Sequence, residues 1–186
     1  MGSGGNRKIE IRMKTNGTLP QIYLIRHGET AWSLSGQATG RTDIALTEQG
    51  ERDARALASR LKGLTFAQVF TSPLQRARRT AELAGFGKDA YIDCNLAEWD
   101  YGAHEGRRTA DIRAGRPGWC LFEDVCPGGE TLHALSARAQ NVIERIRTLQ
   151  GNTHIFAHWD ILRVLTARWL RLQPVKPAIS ISRRHP

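Results

Sequence analysis

Two histidines, His27 and His158, each follow a short apolar run, YLIR and HIFA. Arg26 sits beside the first, and Arg76 lies one helical turn beyond Ser72-Pro73. A neutral imidazole can attack phosphorus. A guanidinium offers a planar fork of donors that suits phosphoryl oxygens. Open α/β sheets bind their ligands beyond the carboxyl ends of the strands. Three strand ends that deliver two imidazoles and two guanidiniums to one sheet edge therefore make a pocket for a dianionic phosphoryl group.

The elements that must place these residues are legible as hydrophobic patterns. Residues 21–26 (QIYLIR), 66–71 and 153–157 are short, apolar and rich in β-formers, which predicts buried strands. A weaker strand is expected at 90–93 and a last short one at 178–182. Thr47 is a suitable N-cap for a helix whose Ala54, Leu57, Ala58 and Leu61 share one face. Pro73 at a first helical position and Gly85 at a stop bracket a second helix over 73–84. A short helix is expected at 109–114. The clearest helix spans 130–149, where Leu132, Leu135, Ala139, Val142, Ile143, Ile146 and Leu149 repeat at helical spacing. A last helix covers 160–172 and ends before Pro174. Strands alternating with helices predict an α/β fold: a three-layer sandwich with a mostly parallel central sheet flanked by helices.

With the motifs in place, the chain resembles the histidine phosphatase superfamily, the phosphoglycerate mutase-like family. Five ordered blocks carry the likeness across about residues 21–173: LIRHGET (24–30), TSPLQRARRTAEL (71–83), LAEWDYGAHEG (96–106), CPGGET (126–131) and IFAHWDILR (155–163). AWSLSGQATGRTDIALTEQG (31–50) and WDYGAHEG (99–106) are most similar to a branch that includes sedoheptulose bisphosphatase-like sugar phosphatases. By motif, the resemblance implies that His27 is the phosphorylated nucleophile. Arg26, Arg76 and His158 hold the transferring phosphoryl. Glu98 protonates the leaving alkoxide and then activates water. Thr39, Gly40, Arg41, Ser72, Tyr101 and Arg163 match substrate-side positions. The nucleophile must be neutral, so neighbouring cations should lower its proton affinity, and a backbone carbonyl should hold its second ring nitrogen. No metal or other cofactor is implied, because positioning and charge stabilisation are sufficient in principle for phosphoryl transfer.

The chain departs from the family pattern at Trp159-Asp160, where the family has Gly and the closer branch then has His. This places bulk and a negative charge beside an anion pocket. The implied activity is hydrolysis of a small phosphorylated metabolite of the sugar phosphate class. The short path of 60 residues from Glu98 to His158 favours it over mutase-type phosphoryl transfer, which goes with longer insertions there. A weakened phosphate-binding or interaction module is the alternative that Trp159-Asp160 raises.

Bulk properties agree with this picture. The 186 residues suit one domain, expected over 20–186 and short at its C-terminus, with 1–19 as a tail. Net charge is +9 and the pI about 10.2, which points to an anionic partner. The arginines are scattered without interleaved aromatics, so a nucleic-acid module is not indicated. No apolar run approaches a membrane span, and no signal peptide is evident. A cytoplasmic protein is expected, with homodimerisation left open. Cys94, Cys120 and Cys126 form no close pair and read as idle thiols. His104, His133, His154 and His185 read as structural or exposed, Arg78 and Arg79 as solvated helix charges, and Trp99, Trp119 and Trp169 as packing groups.

Overall fold

The computed structural model describes residues 20–172. The expected strand at 178–182 and the tail at 1–19 lie outside the described residues. In chain order the elements are β1 (Ile22–Arg26), α1 (Ala31–Ser35), α2 (Glu48–Leu61), β2 (Gln68–Thr71), α3 (Gln75–Leu83), β3 (Ala90–Ile92), α4 (Thr109–Gly115), α5 (Leu132–Arg147), β4 (Thr153–Ala157) and α6 (Trp159–Trp169). Two 3₁₀ turns, Cys94–Leu96 and Gly102–His104, interrupt the loop between β3 and α4.

The four strands are parallel and lie in the order β1-β4-β2-β3. Strand β4 is central, buried throughout, and its side chains alternate between two cores. Ile155 and Ala157 join Leu135, Ala139, Val142, Ile143, Ile161 and Leu165 of α5 and α6 on one face. Phe156 joins Leu61, Ala81 and Ala84 of α2 and α3 on the other. The period-2 pattern of a strand thus meets two helical stripes, and the expected three-layer α/β sandwich results.

Register decides where the chemistry falls. Arg26 pairs with Ala157, and Thr71 with Phe156. The ladder runs one residue further: the His27 N–H donates to Ala157 O at 3.0 Å and the Ser72 N–H to Phe156 O at 2.9 Å. His27, Ser72 and His158 therefore leave the sheet together at its carboxyl edge.

Helix boundaries show where local signals were overridden. α3 begins at Gln75, with Leu74 as its cap, so Pro73 precedes the helix instead of opening it. The reason is a remote cap: the Asp43 carboxylate accepts the Gln75 N–H at 2.8 Å, and Ser72 Oγ accepts that of Leu74. α6 ends at Trp169, short of the expected 172. Arg171 adopts φ 58° and the Leu172 N–H reaches back to Ala167 O at 2.8 Å, closing the end as a left-handed turn. Gly85, at φ 93°, stops the helix before it as its position implied.

The remaining expectations divide. Trp99 and Trp119 are buried, but Trp169 is exposed, its ring under the Arg147 guanidinium. Cys120 and Cys126 are buried, Cys94 is exposed, and all three are free thiols. Arg78 is exposed, whereas Arg79 bridges α3 to α2 through Glu51 at 2.8 Å and also pairs with Glu82. No helix of the described residues is long and apolar enough to cross a membrane.

Gly28 and Gly50 let the loop after β1 lie against the start of α2. A Cβ on Gly50 would stand 2.3 Å from Glu29 O, and one on Gly28 would stand 2.6 Å from Gly50 O. Both obstacles are backbone, so neither can swing aside. Gly50→Ala is expected to destabilise the protein by about 2 kcal/mol or more, as overpacking against fixed atoms does. Urea unfolding of the variant and the parent measures it.

Candidate active site

His27 is 8% exposed and follows β1 directly. Its Nδ1–H donates to Gly28 O at 2.7 Å, which leaves the lone pair on Nε2. This is the carbonyl contact expected of a nucleophilic histidine. Burial, then Arg26, then Arg76 lower its proton affinity to a pKa of about 3. The ring is therefore neutral at any ordinary pH.

His158 lies beside it, with ring centroids 5.1 Å apart. It caps the start of α6 by position only; its ring is engaged elsewhere. Nδ1 accepts from Arg76 Nε at 3.1 Å, so Nε2 carries the proton and donates to Ser72 Oγ at 2.7 Å. Burial, with Arg76 next, pushes its pKa well below the histidine range.

Arg76 is fully buried on α3. Beyond His158 it donates to three carbonyls of the loop after α1: Thr42 O at 2.9 Å, Gly40 O at 2.8 Å and Thr39 O at 3.3 Å. The same loop is gripped from its other side by Glu105. Its carboxylate accepts the N–H groups of Gly40, Arg41 and Thr42 and the Thr42 hydroxyl. Thr39 and Gly40 thus turn carbonyls toward Arg76, and Arg41 is held by its backbone while its side chain is exposed.

Glu98 is 3% exposed in the loop between β3 and α4. Oε1 accepts the N–H groups of Trp99 at 2.9 Å and Ile161 at 3.0 Å, and Oε2 accepts that of Asp160 at 3.1 Å. Its carboxyl stands at the N-terminus of α6, yet burial first, and Asp160 second, push its pKa up to about 7. Arg138 fixes the loop from α5. It donates to Asn95 O, Ala97 O and Glu98 O and forms a two-pronged ion pair with Glu130 at 2.7 and 2.6 Å.

The two departing residues also have definite places. The Arg26 guanidinium lies 5.4 Å from the centroid of the Trp159 ring, a cation–π distance. Asp160 is buried, and its carboxylate is turned onto Tyr101 and Arg163. It accepts from the Tyr101 hydroxyl at 2.5 Å and pairs with Arg163 at 3.2 Å. Arg163 also stacks over Phe122.

The carboxyl edge of the sheet thus brings together His27, Arg26, Arg76, His158, Ser72 and Glu98. Tyr101 and Arg163 are present, but their polar ends are engaged by Asp160. Three residues that sequence reasoning passed over support the site: Glu105, Arg138 and Asp43. Arg138 is one of the arginines scattered along the sequence. Among the described residues, no cluster of three or more His, Cys, Asp or Glu side chains could hold a metal ion.

A model of the histidine phosphatase superfamily (branch 1) matches residues 22–181. An acid phosphatase of Mycobacterium tuberculosis is 36% identical over 157 residues, 82% of this chain and 76% of that protein. Sedoheptulose 1,7-bisphosphatase of Saccharomyces cerevisiae is 32% identical over 186 residues, 82% and 68% of the two chains. A Cronobacter sakazakii protein named a probable phosphoglycerate mutase is 42% identical over 131 residues, 66% of this chain and 61% of its own. The solved structure of a Mycobacterium tuberculosis open-reading-frame product superposes with a TM-score of 0.76 at 34% identity, covering 83% and 82% of the two chains.

The buried histidines carry a pH consequence. His27, His158 and His154 all bind protons less readily folded than unfolded; His154, caged by Phe66 and Phe86, is lowered to about 4 by burial. Below about pH 6.5 the unfolded chain takes up these protons first, and stability falls. Glu98 acts in the opposite direction, because its folded pKa is raised, as does Asp160. With His104 lowered by burial and Arg107 in the same way, four histidines outweigh two carboxyls. The thermal midpoint is expected to fall as pH drops from about 7 to 5, which scanning calorimetry across that range checks.

Proposed function

The chain belongs to the histidine phosphatase superfamily, and on that premise we propose that it hydrolyses the phosphate monoester of a small metabolite, of the sugar phosphate class, through a phosphohistidine on His27. One observation carries the reading. The Gly28 carbonyl fixes the His27 ring so that a neutral Nε2 lone pair stands beside His158, between two arginines.

In the first step, His27 Nε2 bonds to phosphorus as the ester P–O bond breaks, and the leaving alkoxide takes the proton of Glu98. Arg26 and Arg76 stabilise charge on the phosphoryl oxygens, and the His158 Nε2–H exchanges Ser72 Oγ for one of them. In the second step, a water bonds to phosphorus, its proton passes to Glu98, and the P–N bond breaks. Phosphate leaves, and His27 and Glu98 return to their starting states. A carboxyl with a pKa near 7 suits both halves, since it must give and then take one proton near neutrality.

The similarity to a sugar bisphosphatase and an acid phosphatase supports hydrolysis of a small phosphate ester. The similarity to the mutase-named protein supports a second reading, transfer of the phosphoryl group between hydroxyls. The two part in one assay. With a panel of sugar phosphates, hydrolysis releases inorganic phosphate at the rate of substrate loss, whereas a mutase isomerises the ester without release.

His27→Ala is expected to reduce phosphate release by about 10⁴-fold or more and to abolish an acid-labile, base-stable phosphoprotein. Glu98→Gln is expected to slow alkyl phosphates by about 10²–10³-fold while p-nitrophenyl phosphate, whose leaving group needs no proton, is slowed far less. Turnover and phosphoprotein retained in His27→Ala would overturn the reading.

A further inference from the structure

We propose that Asp160, the residue at which the chain departs from its relatives, is a positioning residue of the reaction: its ionised side chain, fixed by Tyr101 and Arg163, keeps the transferable proton on Glu98 Oε2. The inference rests on the phosphatase reading and deepens it.

Asp160 and Glu98 are two buried carboxyls against the first turn of α6, joined by the Asp160 N–H to Glu98 Oε2. Two such groups in one desolvated place do not both ionise at neutral pH. Their partners decide which one holds the proton. Asp160 receives a hydroxyl from Tyr101 and a cation from Arg163, both of which favour its anion. Tyr101 in turn is held protonated: burial, then Asp160, then Glu98 push its pKa well above the usual value. Glu98 is held by three backbone N–H groups.

The oxygens of Glu98 are also unequal. Oε1 accepts two N–H groups, which fills its lone pairs, while Oε2 accepts one. The proton therefore belongs on Oε2. Other charges face the pair from each packed element: Arg76 from α3, Arg26 from β1, Arg163 from α6, and Arg138 from α5, which donates to the Glu98 backbone carbonyl. The histidines His27 and His158 are neutral. Asp160 is the nearby anion that opposes these cations, and burial acts with it on Glu98. A negative charge that looks misplaced beside an anion pocket is aimed at the acid instead of the substrate.

The test compares the unsubstituted protein with Asp160→Asn, which keeps the shape, and Asp160→His, which installs the residue of the closer branch. kcat/KM is measured from pH 5 to 9 for an alkyl phosphate and for p-nitrophenyl phosphate. The alkaline limb for the alkyl ester is expected to move to lower pH by about one unit or more in both variants. At pH 7.5 this lowers its kcat/KM about tenfold, while the p-nitrophenyl ester changes less than about threefold and phosphohistidine still forms. A limb that stays in place in both variants, with phosphohistidine forming normally, overturns the inference alone. Absence of phosphohistidine in the unsubstituted protein overturns the phosphatase reading and this inference with it.

Discussion

A fully buried guanidinium is the interaction on which the rest of the site depends. Arg76 has no solvent contact, so every donor left unsatisfied would be costly. The protein meets this by bringing acceptors to it. His158 supplies Nδ1, and the loop after α1 supplies the carbonyls of Thr39, Gly40 and Thr42. Asp43 and Glu105 supply opposing charge. One side chain thereby fixes the tautomer of a histidine just beyond β4, the path of a loop 36 residues away in sequence, and the need for nearby carboxylates. Glu105 closes the arrangement by accepting the same loop's N–H groups, so the loop is held through both its donors and its acceptors.

Three carboxyls near that cation behave differently because their partners differ. Glu105 accepts from several backbone N–H groups and one hydroxyl at a partly exposed loop, a structural clamp. Asp160 is buried but has a phenol and a cation. Glu98 is buried against backbone amides, and burial, then Asp160, raise its pKa to about 7. Amide donors at a helix N-terminus favour an anion, yet here desolvation and a like charge outweigh them. Identical chemistry on paper yields three carboxyls in three different settings.

Much of the fold was legible because its signals are local. The β4 run and the α5 stripe are strong periodic patterns, and their limits fall within two residues of expectation. The ends of α3 and α6 were less legible. The first is capped by Asp43, 32 residues away, and the second is closed by a positive φ at Arg171, which no residue-type rule marks. The catalytic candidates were legible because histidine and arginine at strand ends have few ordinary uses together. Glu105 and Arg138 were not, since a charged residue in a loop or on a helix reads as solvated until its burial is known. Arg138 differs from its exposed neighbours on α5 only in what it meets: Glu130 and three carbonyls of the loop that bears Glu98.

Trp159-Asp160 shows the limit most clearly, because side-chain type alone does not reveal which groups the two residues meet. At the first turn of α6 the free N–H groups of Asp160 and Ile161 would ordinarily suit a bound anion. They are occupied by the Glu98 carboxyl. The Trp159 ring covers the face of Arg26, and a guanidinium stacked on an aromatic face still presents its N–H groups outward in its own plane. The charge of Asp160 is spent on Tyr101 and Arg163. Trp159 and Asp160 therefore meet Arg26, Tyr101, Arg163 and the Glu98 carboxyl, while His27 and His158 keep their places at the ends of β1 and β4.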